Sequence, residues 1–146
     1  MRQVVRILLK NDEGKYLLVK HSKSEMWTIP GGHIEGSETL QQAIKRELKE
    51  EFNFKIQLIG QKDDFEIEHI KELVLPISNY KIYYDSKKFG KVKKQEYIFH
   101  GRVKNIEEIM VQESEIQDYK WCTPEQILET ENIYPQIPLL LKKLIS

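Results

Sequence analysis

The sequence predicts a mixed α/β domain. Three observations carry that expectation: a β-rich hairpin pattern at the N-terminus, one long helical stripe in the first third, and further β-rich runs that give way to two short helical patterns. Val4 to Leu9 (VVRILL) reads as a strand, Asn11 to Gly14 as a turn, and Tyr16 to Lys20 (YLLVK) as the returning strand. His21 to Glu25 is a polar loop. Trp27-Thr28-Ile29 is a short extended piece, because Pro30 disfavours helical backbone in the residue before it. Gly31 and Gly32 let the chain pass close to a neighbour or to a bound ion.

The helix is expected from about Glu38 to Phe52, with Ser37 as its N-cap. Leu40, Ala43, Ile44, Leu48 and Phe52 recur at helical spacing and form its apolar stripe. Glu47, Glu50 and Glu51 stand at i, i+3 and i+4, which puts three carboxylates on one face beside that stripe. Like charges at this spacing repel, and the C-terminal end of a helix disfavours anions. A hard divalent cation relieves both conflicts, since Mg²⁺ and Mn²⁺ take carboxylate oxygens and keep several waters. Taken alone, the three glutamates read first as a solvated helix face, because acidic faces are common and Glu is a good helix former.

Lys55 to Ile59 (KIQLI) reads as a strand. Asp64 to Leu75 includes the alternating run FEIEHI and suggests another, which Ile77 to Tyr84 continues. Asp85 to Lys94 is a turn rich in lysine (Lys87, Lys88, Lys91, Lys93, Lys94) around Gly90. It is either a solvated hairpin tip or a basic flap that draws in a polyphosphate. Gln95 to Val103 (QEYIFHGRV) is a further strand, Lys104 to Gln117 is irregular, and Tyr119 to Cys122 is a short strand. Thr123 is placed to cap a helix with Pro124 at its first position and Glu125 to Glu131 as its body; Pro138 to Ile145 (PLLLKKLI) closes the chain as an amphipathic helix.

The order of residues from Gly32 to Phe54 is more specific than the elements. It resembles the Nudix box, G-x(5)-E-x(7)-R-E-U-x-E-E-x-G-U, where U is bulky and apolar. The matches are Gly32, Glu38, Arg46, Glu47, Leu48, Glu50, Glu51 and Phe54, with Asn53 where the second Gly stands. From ordinary residue frequencies a chance match is on the order of 10⁻⁸ per window. Asn is the usual substitute for Gly in the left-handed residue that ends a helix, so Asn53 reads as a C-cap. A Trp-x-x-Pro-Gly-Gly lead-in, Trp27 to Gly32, extends the resemblance.

The resemblance implies a curved mixed sheet sandwiched between helices, with the box as loop-helix-loop. It also implies Mg²⁺-dependent hydrolysis of a nucleoside diphosphate linked to another group, with Mn²⁺ as a substitute ion. On that pattern Glu47, Glu50, Glu51 and the Gly32 carbonyl are candidate metal ligands, Glu51 orients the attacking water, and Glu38 with Arg46 holds the loop and the glutamates. A further carboxylate comes from elsewhere in such enzymes: Glu96 is the first candidate, and Glu113 and Glu115 are others. The small size leans towards a MutT-like enzyme that cuts an ordinary or oxidised nucleoside triphosphate to monophosphate and pyrophosphate. The alternatives are ADP-ribose, another nucleotide sugar or a dinucleoside polyphosphate as substrate, or a non-catalytic nucleotide-binding module. Such modules typically lose box glutamates, and this chain keeps them all.

The bulk properties bound the rest. A chain of 146 residues fits one domain, 1–146, with a real core. Lys+Arg and Asp+Glu are equal at 23, so no global basic field argues for nucleic acid as the main partner. The partner expected is a small nucleotide or diphosphate; a monomer and a homodimer are both open. The single Cys122 rules out an internal disulfide, suits the cytoplasm, and reads as a buried small hydrophobe after Trp121. No apolar run reaches membrane-spanning length, and the N-terminus is too short and charged for a signal peptide. His21, His33, His69 and His100 show no sequence partner. Trp27 is expected to anchor the Gly-Gly turn by packing, and Lys20 and Lys23 to be solvated.

Overall fold

The computed structural model describes residues 1–61 and 66–145. The N-terminal strand β1 (Arg2–Lys10) turns at Asn11, whose side chain accepts hydrogen bonds from the Glu13 and Lys15 amides, into β2 (Tyr16–His21). A three-residue strand β3 (Gly31–His33) lies antiparallel to the start of β1. Helix α1 (Leu40–Phe52) follows, then β4 (Ile56–Ile59), a small hairpin of β5 (Glu66–Ile67) and β6 (Ile70–Lys71), and the long strands β7 (Ser78–Ser86) and β8 (Gly90–Val103). A 3₁₀ turn at Ile106–Glu108 leads to β9 (Ile116–Cys122), α2 (Pro124–Glu129) and α3 (Gln136–Ile145).

Seven strands form one mixed sheet. Its central path runs β4-β8-β1-β2-β9, with β3 also on β1 and β7 also on β8. β1 and β8 are parallel over nine residue pairs, from Arg2–Lys94 to Lys10–Arg102, and the other pairings are antiparallel. Strand alternation sends the two faces of this sheet into different cores. Val5, Ile7 and Leu9 of β1 and Phe99 of β8 meet Ala43, Ile44, Leu48 and Phe52 of α1. Leu8 of β1 and Ile98 of β8 meet Ile127 of α2 and Ile137, Leu140 and Leu141 of α3. The sheet is therefore covered by α1 on one face and by α2 and α3 on the other. Full burial of side chains such as Phe52, Phe54 and Phe99 stabilises this arrangement by about 1.5–3 kcal/mol each. Among the described residues no helix is long and apolar enough to cross a membrane.

Several sequence expectations need correction. Helix α1 starts at Leu40, not Glu38, and Thr39 rather than Ser37 caps it. The Thr39 hydroxyl accepts from the Gln42 amide while the Gln42 side chain accepts from the Thr39 amide. Ser37 has no Gln or Glu three residues on, so it cannot form this reciprocal pair. The run FEIEHI is not one strand. Within the described residues it folds back on itself at Glu68, which takes left-handed backbone (φ 53°), and Asp64 and Phe65 lie outside the described residues. The lysine-rich turn is shorter than expected, because β8 already begins at Gly90. β9 begins at Ile116, inside the stretch read as irregular. Thr123 and Pro124 start α2 as expected, but the helix stops at Glu129. Asn53 is the left-handed C-cap of α1 (φ 61°), and Cys122 is free and buried.

Candidate active site

The site is built where the β3 strand crosses the side of α1. Gly31 is fixed there by space: a Cβ on it would lie 2.0 Å from the Val5 carbonyl oxygen. Gly32 is fixed by the helix: a Cβ on it would lie 2.5 Å from the Glu47 carboxyl carbon. Gly31 thus lets the chain press on β1, and Gly32 brings backbone, rather than side chain, against a glutamate of α1.

Arg46 clamps this junction. Its Nε donates to Glu38 Oε2 at 2.7 Å and its Nη2 to Glu38 Oε1 at 3.1 Å, a two-pronged pair of the strong kind. Nη2 also donates to the His33 carbonyl at 2.9 Å, and Nη1 to Glu47 at 3.0 Å and Glu50 at 3.2 Å. The loop before α1, the β3 strand and the glutamate face are therefore held by one guanidinium. The Arg46 hydrogen bonds keep Glu38 below the usual carboxylate range.

The three box glutamates separate in environment. Glu50 is half exposed and turned to Arg46. Glu47 is buried and touches Arg46, yet burial outweighs that contact and pushes its carboxyl up. Glu51 is 1% exposed, and its carboxylate oxygens accept from no N–H or O–H donor. Burial, then the charge of Glu47 and a carboxyl–carboxyl hydrogen bond with it, push Glu51 up to about 9; the charge of Arg6 opposes this and that of Glu115 adds to it. Glu115 thus reaches the neighbourhood of Glu51 from the loop before β9. That loop is tied to the end of α1 by hydrogen bonds from Gln112 N to Glu51 O and from Met110 N to Phe52 O.

A buried carboxyl beside a second one, with no basic group of its own, fits a hard cation with oxygen ligands. Among the described residues no three His, Cys, Asp or Glu side chains already converge as a cage. Mg²⁺ does not require one, because it keeps several waters and takes one or two carboxylates.

Glu96 is not brought to this group. It lies on the other face of β8, with Ile98 rather than Phe99, and is 1% exposed. Its Oε2 accepts from Arg6 Nε at 3.3 Å and pairs with Lys94 Nζ at 3.3 Å, and its Oε1 accepts from the Tyr80 hydroxyl at 2.9 Å. Burial raises its pKa, but Arg6, Lys94 and Tyr80 together bring it below the usual range.

Glu96 lines a cleft of about 290 Å³ with Arg6, Thr28, Tyr84, Lys94 and Tyr134 among its walls. Arg6 belongs to the cleft. It binds Glu96 and the Ile29 carbonyl, and its charge is felt at Glu51. Sequence reasoning missed it, although a single charge inside the apolar run VVRILL was a visible signal. Thr28, buried at 3% exposure, Tyr80 and Tyr134 were also missed.

His33 accepts from Arg2 Nη2 at 3.0 Å at the surface. His21 is driven down to about 4 by burial and by Arg6, against the Glu115 backbone contact, so it is neutral at pH 7. Trp27 packs on the core that faces α2 and α3, and its backbone bonds Asn132 and Tyr134; Lys20, expected to be solvated, sits with Lys120 over its ring, at 4.9 and 4.4 Å. Glu113 stands in the same loop as Glu115, and the structure gives it no contact to the glutamates of α1.

The comparisons agree with this geometry. The NUDIX domain family model matches residues 1–143. The nucleoside triphosphatase NudI of Escherichia coli K12 is 28% identical, covering 99% of this chain and 98% of its own length. A NUDIX-family hydrolase from Clostridium perfringens superposes with a TM-score of 0.78 at 24% identity, covering 99% of this chain and 97% of that one. A Caenorhabditis elegans Ap4A hydrolase superposes with a TM-score of 0.71 at 22% identity, covering 99% and 96%. With the box, its Arg46 clamp and a family match along nearly its whole length, the chain belongs to the NUDIX family and is a Nudix-type diphosphohydrolase.

Proposed function

We propose that this hydrolase cuts a nucleoside triphosphate, ordinary or oxidised, to a monophosphate and pyrophosphate with Mg²⁺ as its ion. The observation that carries the reading is the buried Glu51 carboxyl beside Glu47, which meets no basic group of its own, with Arg6 in a cleft of about 290 Å³ opposing its raised pKa through space. The likeness to a nucleoside triphosphatase along the full chain supports the substrate class.

Glu47, Glu51 and the Gly32 carbonyl would hold the ion, and Glu50 would reach it after leaving Arg46. A divalent cation there lowers the repulsion between a polyphosphate and incoming water and stabilises charge in the transition state. Glu51 orients the water that attacks phosphorus. Glu115, close enough to influence Glu51, takes its proton. Arg46 fixes the rotamer of Glu47 while its pair with Glu38 holds the β3 loop still. Arg6 offers a cation between cleft and glutamates and steers the phosphates. Glu96, committed to Arg6, Lys94 and Tyr80, acts in the cleft as an acceptor that orients Arg6 rather than as a catalytic group. The cytoplasm is the proposed setting, where the buried thiol of Cys122 stays reduced.

The test is a hydrolysis screen with Mg²⁺ over dNTPs, 8-oxo-dGTP, ADP-ribose and dinucleoside polyphosphates, reading phosphate and pyrophosphate separately. Pyrophosphate from a triphosphate is expected. Activity confined to ADP-ribose or a dinucleotide would replace the substrate class, and nucleotide binding without any turnover would overturn the reading.

A further inference from the structure

The hairpin of β7 and β8 runs on past its pairing with β1 and carries a strongly basic surface there. From Lys81 to Lys94 it holds six lysines against one acid, Asp85, in a protein whose total charge is zero. The neutral total therefore hides a local basic surface. Lys94 is engaged with Glu96 and Lys88 lies over the Phe89 ring at 5.2 Å. Lys81, Lys87, Lys91 and Lys93 have no ion pair among the described residues.

Three aromatic rings stand among these lysines in solvent: Tyr83 is 75% exposed, Phe89 73% and Tyr84 54%. The register sets their arrangement. Tyr83 lies opposite Lys93, Asp85 opposite Lys91, and Lys81 opposite Gln95, so one face of the hairpin presents Tyr83 ringed by Lys81, Lys91 and Lys93. A hollow of about 360 Å³ between Met1, Lys81, Tyr83 and Lys93 flanks the ring on one side, and one of about 210 Å³ between Tyr83, Asp85, Lys91 and Lys93 on the other. A water takes roughly 30 Å³ of liquid, so each hollow admits a ring system. At its base the hairpin gives Ile82, Tyr84 and Lys94 to the wall of the cleft.

We propose that this hairpin face binds a short single strand of nucleic acid, next to the hydrolytic cleft. Lysine ammonium groups meet successive phosphates, and a base stacks on the exposed Tyr83 ring. This pairing of cations with aromatic platforms is how single strands are held without sequence readout. Charge complementarity favours a polyanion over a second, equally basic copy of the hairpin. An exposed Tyr83 ring flanked by lysines favours one with planar bases over a lipid surface.

The test is fluorescence anisotropy of the whole protein with 3′-labelled oligouridylate and oligodeoxythymidylate carrying 5′-hydroxyl ends. These ligands have no anhydride, so the result is independent of the hydrolysis reading. Both are expected to bind, with log affinity falling against log salt at a slope of about −2 for three phosphate contacts. Lys91→Glu with Lys93→Glu, and separately Tyr83→Ala, are expected to weaken binding about tenfold or more and to leave mononucleotide hydrolysis unchanged, which also reports that the variants fold. The milder Lys91→Gln with Lys93→Gln should weaken it less and flatten the salt slope. Absence of oligonucleotide binding, binding indifferent to these variants, or lysine-dependent binding only to phosphatidylglycerol vesicles would overturn the proposal. So would self-association of the protein that the same variants abolish.

Discussion

Glu51 concentrates the conflict on which the site depends. Its carboxylate is buried, without a basic partner and next to another carboxylate, which is unfavourable unless a proton or a cation is shared between them. In the metal-free native protein it keeps its proton up to about pH 9, whereas the ordinary value is 4.5. The proton is therefore held more tightly in the folded state. The stability this gives is full below pH 4.5 and is lost as pH rises towards 9. Glutamine has no proton to lose. In chelator at pH 8 we expect Glu51→Gln to be more stable than wild type by about 1–3 kcal/mol, with the gap shrinking towards pH 5. The same substitution should lower turnover by at least ~10². Urea titrations at the two pH values, with a rate assay, check both. A variant that is less stable at pH 8, or one that turns over normally, would contradict this role for Glu51.

At the scale of elements, α1 was the most legible part of the chain. Its apolar stripe, its glutamate face and the Asn53 end are all local patterns. Its true start was legible too, since Thr39 with Gln42 is a capping-box pair and Ser37 with Leu40 is not. Glu96 was misread for a different reason. A strand alternates between faces, and only knowledge of which core receives Ile98 and which receives Phe99 tells that Glu96 faces away from α1. That knowledge is tertiary. The cap gives a separate test of the helix. Thr39→Ala should cost about 1 kcal/mol and lower Tm by about 2–4 °C. Thr39 lies eight residues before Glu47, roughly 12 Å along the helix, so kcat at 25 °C should change less than about threefold. Loss of turnover with an unchanged Tm would mean that the cap positions the glutamates directly.

At the scale of the whole molecule, the box foretold the metal-facing half of the site and almost nothing of the other half. The cleft is assembled from β1, the Thr28 segment, β7, β8 and the residues before α3, brought together by the parallel pairing of β1 with β8. Those partners are some ninety residues apart in sequence, and no local periodicity encodes their meeting. Arg6 lines that cleft and its charge acts on Glu51 through space, so a lone charge in an apolar strand carried more information than its surroundings suggested. The central claim is that Glu47 and Glu51 together hold the ion on which hydrolysis depends. The most direct measurement is a titration of metal-free protein with Mn²⁺ followed by electron paramagnetic resonance, comparing wild type with Glu47→Gln and Glu51→Gln. We expect wild type to bind one ion at the site and either variant to lose at least about tenfold in affinity, in line with the loss of a carboxylate ligand. Undiminished Mn²⁺ binding by both variants would contradict the claim.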